Sequence, residues 1–340
     1  MILSLLLVAC VHPGRTQVFH PSVPYPVSSL EAEGLQSAPF VELEQRFATG
    51  PSPDGLVVLR NGKVVYEFYG HGFDREDLHD LRSATKSVTS LLVGIAVEQG
   101  ADPGAALADS FPEIPFDPRL TPADLLAMRS GLDCDDWDPS SPGQEDRMYR
   151  KNDWVRHTLA LPQKDAPNSV TRYCTGGVVV LGAWLERSTH TAVPEFASEN
   201  LFDPLGIRSW SWANTPEGGT DTGGHLMLRP LDFARIGQLV SDRGTIDGHR
   251  LVPEVWIDAT TSGKNTLGDS RYGDLWWSNT FTVRGTPIEV VFARGNGGQM
   301  LFIAPSLQLV AAFTGGFYNR PEADLPIEWF GRYIAVSALP

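Results

Sequence analysis

The sequence predicts an α+β fold in which one antiparallel sheet is assembled from both ends of the chain. Three observations predict it: a hairpin signature near residue 60, a series of strand-like runs over the last third, and a mostly helical stretch between them. Gly55-Leu-Val-Val-Leu-Arg60 and Lys63-Val-Val-Tyr-Glu-Phe-Tyr69 flank Asn61-Gly62. An Asn-Gly pair between β-rich runs favours a two-residue turn, because both central residues take positive φ. Ser83 to Gln99 then reads as a buried helix, with Val88, Leu91, Leu92 and Ile95 at helical spacing and Gly100 at its stop. Thr121-Pro122-Ala123-Asp124 combines a capping Thr, a first-turn Pro and an acid three residues on. It predicts a helix ending near Gly131. Gly177–Ser188 and Pro230–Val240 are further helical runs. Thr280–Val283, Ile288–Ala293, Met300–Ile303 and Leu309–Phe313 are strands separated by Gly or Pro turns, and Ile327–Val336 closes the chain as a helix. The expected division is an α/β part over about 41–110 and 225–340, and a helical part over about 111–224.

The composition bounds the function. The chain has 340 residues, enough for two domains or one composite one, and its 42% hydrophobic and 20% charged residues suit a folded globular protein. No apolar run reaches the roughly 20 residues of a membrane-spanning helix. The net charge of −14 and the lack of any basic run argue against nucleic acid as a partner.

Met1 to Ala9 is apolar apart from Ser4 and leads into Cys10. Leu7-Val8-Ala9-Cys10 resembles the lipobox of bacterial lipoproteins, whose cysteine is lipidated and becomes the mature N-terminus. The alternative is a short apolar strand with a chance cysteine. The resemblance implies a signal over residues 1–10 and a lipid on Cys10 as the membrane contact. It also implies a place on the periplasmic side of a bacterial cell envelope. Residues 11–40, with Pro13, Pro21, Pro24, Pro26 and Pro39, have the composition of a tether. Cys134 and Cys174 have no second cysteine or histidine at zinc-ligand spacing, and no His-Glu-x-x-His occurs, so neither a metal site nor a cofactor is expected.

Three short stretches carry candidate chemistry. Ser83-Ala84-Thr85-Lys86 puts a hydroxyl and an ammonium on one helix face, with Cβ atoms roughly 5–6 Å apart. A serine needs a neighbouring base to attack. A lysine supplies one where burial or positive potential favours its neutral form, and a helix start provides that potential. The other reading is an exposed lysine at a helix start. In Tyr173-Cys174-Thr175 a phenol near a lysine can relay a proton, though a core tyrosine fits the local sequence as well. Gly295-Asn296-Gly297-Gly298-Gln299 permits close backbone approach and an oxyanion donor, or is simply a hairpin turn. A strand rather than a helix follows it, so it is not a dinucleotide loop.

Together, in this order, the three stretches resemble the penicillin-recognising serine hydrolases. The nearest likeness is to the class C β-lactamase-related group that includes esterases and 6-aminohexanoate-dimer hydrolases. The resemblance runs through Arg82–Val93, Leu120–Asp136, Tyr173–Leu185, Phe202–Ile207, Gly223-Gly224, Pro230–Gly237, Tyr272–Trp277 and Gly295–Gln299. It implies an antiparallel sheet flanked by helices with an inserted all-helical subdomain, and Ser83 as acylated nucleophile, Lys86 as base and Tyr173 as proton relay. The implied oxyanion hole is the backbone N–H of Ser83 and of Gln299. Thr175, Asn296, Gly297 and Gly298 are implied substrate contacts, and Tyr272, Trp276 and Trp277 are candidates to line the pocket. The resemblance also implies a disulfide between Cys134 and Cys174.

The sequence departs from the family pattern in two places. Thr175 stands where the second motif often has Asn, and Asn296-Gly297-Gly298 stands where β-lactamases and peptidases have Lys-Thr-Gly or His-x-Gly. The expected activity is hydrolysis of a small ester or amide through an acyl-enzyme. A true β-lactamase or D-alanyl-D-alanine peptidase is the alternative within enzymes, and a non-catalytic envelope protein that binds peptide or cell-wall fragments is the alternative outside them. No Gly-x-Ser-x-Gly occurs, which disfavours an α/β-hydrolase.

Overall fold

The computed structural model describes residues 15–18 and 24–339. Cys10 and the Leu7–Cys10 stretch that resembles a lipobox lie outside them. The strands are β1 (Arg15–Val18), β2 (Gly55–Arg60), β3 (Lys63–Tyr69), β4 (His79–Asp80), β5 (Trp210–Ala213), β6 (Leu226–Leu228), β7 (Thr245–Ile246), β8 (His249–Arg250), β9 (Asn265–Leu267), β10 (Ser270–Gly273), β11 (Trp276–Val283), β12 (Thr286–Gly295), β13 (Gln299–Ala304) and β14 (Leu309–Thr314). The α-helices are α1 (Ala38–Thr49), α2 (Thr85–Glu98), α3 (Leu107–Ser110), α4 (Pro122–Leu126), α5 (Glu145–Met148), α6 (Trp154–Leu159), α7 (Thr175–Thr189), α8 (Val193–Ala197), α9 (Pro230–Ser241), α10 (Glu254–Thr261) and α11 (Leu325–Trp329).

The main sheet is antiparallel throughout, in the order β3-β2-β14-β13-β12-β11-β10-β9. The hairpin turns as expected, with Asn61 at φ 52° and Gly62 at φ 73°. Its inner strand β2 pairs with β14, so strands from the two parts of the chain meet one strand in from the β3 edge. Alternate residues of β13 and β14 face opposite ways. Leu301 and Val310 meet α9, packing so closely on Gly237 that a Cβ there would fall 2.6 Å from Val310. Phe302 stacks on Phe330 at 4.6 Å and Phe313 lies 6.0 Å from Trp329, both from the C-terminal helix on the other side. Covering both faces explains why these strands are apolar along their length and fully buried.

A second small sheet, β1-β5-β6-β4, sits where the helical part rejoins the sheet. Its strand β5 falls inside the stretch expected to be helical. The helix at Thr121 has the expected capping box but stops at Leu126, short of Gly131, because Met128 takes φ 57°. The last helix continues from α11 as a π-helical segment to Ala335.

The Pro-rich stretch does not stand off the body from Pro24 onward, contrary to a tether reaching residue 40. Val64 N–H donates to Pro26 O at 2.8 Å, Ser28 N–H donates to Val64 O at 2.9 Å, and Lys63 pairs with Glu33 at 2.7 Å. β3 is the edge of the sheet, and its unpaired backbone groups are what this segment satisfies. Residues 15–18 likewise pair with β5.

Candidate active site

Ser83 lies in a single 3-10 turn, Arg82–Ala84, between β4 and α2. Leu81 N–H donates to Leu226 O at 2.9 Å, and Leu226 N–H donates to Thr85 Oγ1 at 3.2 Å, so the turn is held against β6. Lys86, in the first turn of α2, is only 1% exposed. Its Nζ lies 3.0 Å from Ser83 Oγ and 2.6 Å from Gly223 O. Both acceptors are uncharged. Tyr173 lies over the same ammonium, with its ring centroid 5.1 Å from Nζ. The structure thus brings the three sequence-predicted groups together.

Tyr173 is carried on a cross-linked loop. The next residue, Cys174, is bonded to Cys134 with the Cα atoms 5.4 Å apart, and it also sits at the N-cap of α7. Asp136 N–H donates to Tyr173 O at 2.8 Å, and Thr175 N–H donates to Asp136 Oδ2 at 2.7 Å. The other oxygen of Asp136 is buried without a hydrogen-bond partner. Burial pushes the Asp136 carboxyl up to about 6; Lys86 opposes the rise and Glu145 adds to it.

The third stretch approaches Ser83 through Gly295, at the end of β12. A Cβ built there would lie 2.3 Å from Leu81 O and 3.0 Å from Ala84 N, so only glycine lets the strand reach the Ser83 turn. The next residue, Asn296, lines the cleft beside Ser83. Its side chain exchanges hydrogen bonds with Asn319, Nδ2 to Oδ1 at 2.8 Å and Oδ1 from the Asn319 N–H at 2.9 Å.

The cleft has a volume of about 390 Å³ and is lined by Ser83, Asp136, Trp137, Glu145, Tyr173, Trp277, Arg294, Gly295, Asn296, Asn319, Arg320, Ala323 and Asp324. Trp137, Tyr173 and Trp277 form its aromatic wall: Trp137 stacks on Tyr173 at 5.5 Å, and Trp277 lies 6.0 Å from Tyr173. Arg294 is held by Asp324 at 2.7 Å on the rim.

Several expected contacts fall elsewhere. Gln299, expected to contribute its backbone N–H, is 1% exposed and is not among the cleft-lining residues; its side-chain amide bonds both the N–H and the carbonyl of Gly315. Gly297 pairs with Phe317 rather than lining the cleft, and Gly298, another of the expected contacts, is not among the lining residues. Trp276 and Tyr272 are 1% exposed core residues: Trp276 because neighbouring positions on a strand face opposite ways and Trp277 takes the cleft side, and Tyr272 because it pairs with Trp277 across the strands and packs edge-on against that ring at 4.7 Å. Thr175 is fully buried, with its hydroxyl 3.3 Å from Glu145. Trp137, Glu145, Asn319 and Arg320 went unread in the sequence. Only the closeness of Asp136 and Trp137 to Cys134 offered a signal for any of this group.

An antiparallel sheet closed from both chain ends, with an inserted helical part and a polar cleft at their junction, defines a hydrolase of the β-lactamase and penicillin-binding-protein fold. The beta-lactamase family model matches residues 54–325, and the chain belongs to that family. It is 26% identical over 290 residues to the 6-aminohexanoate-dimer hydrolase of Paenarthrobacter ureafaciens, covering 78% of this chain and 72% of that protein. Among solved structures it is similar to a candidate 6-aminohexanoate-dimer hydrolase from Bacillus anthracis, with TM-score 0.75 and 19% identity, covering 95% of this chain and 90% of that one. It is also similar to a family VIII carboxylesterase, with TM-score 0.64 and 16% identity, covering 87% and 98%.

Proposed function

We propose that the protein cleaves a short neutral ester or amide through an acyl-enzyme on Ser83. The observation that carries this reading is the 3.0 Å hydrogen bond between Lys86 Nζ and Ser83 Oγ at the cleft. Lys86 in its unprotonated form takes the hydroxyl proton while Oγ bonds to the carbonyl carbon. The carbonyl oxygen becomes an oxyanion, received by the backbone N–H groups of Ser83 and Asn296. Asn296 replaces Gln299 in this role because it is Asn296 that lines the cleft next to Ser83. As the tetrahedral species collapses, the bond to the leaving group breaks, and that group takes a proton from Lys86 by way of Tyr173. Water then attacks the acyl carbon by the same route and regenerates Ser83. The family VIII carboxylesterase and the 6-aminohexanoate-dimer hydrolase among the similar proteins support ester and amide chemistry respectively.

Short neutral substrates are favoured because the third stretch offers an amide and glycines where a carboxylate-binding cation would be expected. A charge-assisted hydrogen bond contributes about twice a neutral one. Arg294 supports a second reading, a carboxylate-bearing substrate such as a β-lactam, since it lines the cleft. Its guanidinium is already engaged by Asp324, so such a substrate has to displace that partner. The test is a panel of short-chain p-nitrophenyl esters, linear amides and a chromogenic cephalosporin, with a fluorophosphonate label mapped by mass spectrometry. Labelling of Ser83 with esters ahead of the cephalosporin in kcat/KM is expected. The reverse order overturns the substrate class, and no label on Ser83 overturns the mechanism.

The reading includes export and anchoring through Cys10. The Cys134–Cys174 bond supports it, because such bonds persist in oxidising compartments. Cys10→Ser is expected to release the protein from the membrane fraction. Retention of the variant there argues against the anchor.

A further inference from the structure

Beside the Ser83 turn runs a chain of side chains that the reaction above does not use. Arg82 NH1 lies 2.8 Å from His225 Nε2, and His225 Nδ1 lies 2.8 Å from Asp221 Oδ2. A guanidinium only donates, so Nε2 is the acceptor and carries no proton. The single ring proton is therefore on Nδ1 and is donated to Asp221, whose side chain is 1% exposed. The chain thus fixes both the tautomer and the charge of the imidazole.

Its two ends hold the two halves of the catalytic pair. Arg82 immediately precedes Ser83 and sits at φ 49°; His225 follows Gly223-Gly224 and sits at φ 57°. Both are non-glycine residues in the left-handed region, a conformation that surrounding contacts must maintain. Gly223 O is the acceptor for Lys86 Nζ. One hydrogen bond therefore joins the strained residue before the nucleophile to the strained loop that seats its base. His225 also shares a small cavity with Ser83, Glu145, Tyr149 and Asn296.

We propose that His225 is a positioning residue for Ser83: as the neutral Nδ1–H imidazole it latches Arg82, and its protonation opens the latch and lowers activity in acid. A proton on Nε2 turns the acceptor into a second donor facing a cation, so Arg82 has to leave. Imidazole is the side chain that ordinarily changes charge between pH 5 and 8. The groups facing it are Asp221 from its own loop, Arg82 and Asp80 from the Ser83 side, and Tyr149 and Glu145 from α5 and the residue after it; Lys86 lies beyond Gly223.

The proposal rests on Ser83 being the nucleophile, and the experiment separates the two. Wild type, His225→Gln and His225→Ala are compared from pH 5 to pH 9 with p-nitrophenyl acetate, read at the isosbestic wavelength of p-nitrophenol. Ser83 labelling by a neutral fluorophosphonate is followed over the same range. Gln offers an amide oxygen to Arg82 but cannot take up a proton. His225→Ala is expected to lose about 10²-fold in kcat at pH 8 with little change in KM, as for a nucleophile displaced by about 1 Å. His225→Gln is expected to recover most of that loss. The ratio of its kcat/KM to that of wild type should rise roughly tenfold from pH 8 to pH 5, since one inactivating proton costs up to a factor of ten per pH unit. A merely structural histidine lowers the melting temperature of both variants and leaves the shape of the pH profile unchanged. Parallel profiles for wild type and His225→Gln, in turnover and in Ser83 labelling, overturn the latch even if His225→Ala does not fold. Wild type that is active but unlabelled at Ser83 overturns the nucleophile reading instead.

Discussion

Lys86 is a long cationic side chain packed into the interior, and at the residue scale that is the most costly feature of the site unless it has a use. Ser83→Ala is expected to abolish ester turnover with an unchanged melting temperature. Lys86→Ala should lower kcat by roughly 10²–10⁴, the span seen on losing a general base. Steady-state kinetics beside circular dichroism checks both. Asp136 gives a prediction about stability. Its carboxyl titrates at about 6 when folded, above the ordinary carboxylate value, so between about pH 4 and pH 6 the folded state holds the extra proton. Stability from this group is therefore present at low pH and lost as pH rises through 6, by roughly 3 kcal/mol in all. Asp136→Asn keeps an acceptor for Thr175 N–H and removes the charge. Urea unfolding should show the variant equal to wild type at pH 4 and more stable at pH 8; equal stability at both contradicts the assignment. Ser83 and Lys86 were legible because their geometry is set by one helical turn. Asp136, Trp137 and Glu145 were not, because they reach Ser83 only when a loop some 50 residues away folds over it. Asn296 and Gln299 stand three residues apart in one turn, and no local pattern specifies which of them is turned toward Ser83.

At the scale of elements, the parts legible in sequence were those with a strong local rule. The Asn-Gly turn, the apolar face of α2, the capping box at Thr121 and the four late strands all follow from nearest-neighbour chemistry. The length of α4 did not, because a single left-handed residue ended it. The short strands β5, β6, β9 and β10 carry too few residues for a period to show. Two predictions belong here. Gly295→Ala pushes a Cβ into main-chain atoms of the Ser83 turn, which cannot yield as a side chain would. It is expected to lower kcat by about 10²-fold through displacement of β12 from Ser83. A variant with wild-type kcat would show that the contact is not required. Removing both Cys134 and Cys174 opens a loop of 40 residues and should cost roughly 3–4 kcal/mol in the chain-entropy account. Denaturant titration with and without reductant measures it, and the loosened Tyr173 loop should lower kcat as well.

At the scale of the molecule, the order of elements carried most of the fold. Strands at both ends with helices between leave one economical arrangement, a single sheet joined across the termini. What sequence order left open was how the N-terminal segment lies. Prolines read as a stand-off spacer also suit a strand edge, where missing N–H groups do no harm, and Pro26 to Ser28 take that place beside Val64. Deleting residues 1–37 is therefore expected to lower the melting temperature of the remaining chain as well as to release any tether. An unchanged melting temperature would mean that this covering contributes nothing.

The pairing of β2 with β14 sets a condition on how the protein is made. A ribosome delivers β2 early and its partner β14 only about 250 residues later, an interval of roughly 10–50 s at ordinary elongation rates. Throughout that interval the nascent chain carries the inner edge of its first hairpin bare, apolar and ready to pair with the wrong strand. The Ser83 turn is likewise complete as a string of residues long before the Gly295 end of β12 arrives to close against it. The wall of the cleft beside Ser83 is therefore not in place until the Gly295 end of β12 has been made, and a halt in translation before β14 leaves β2 without its partner.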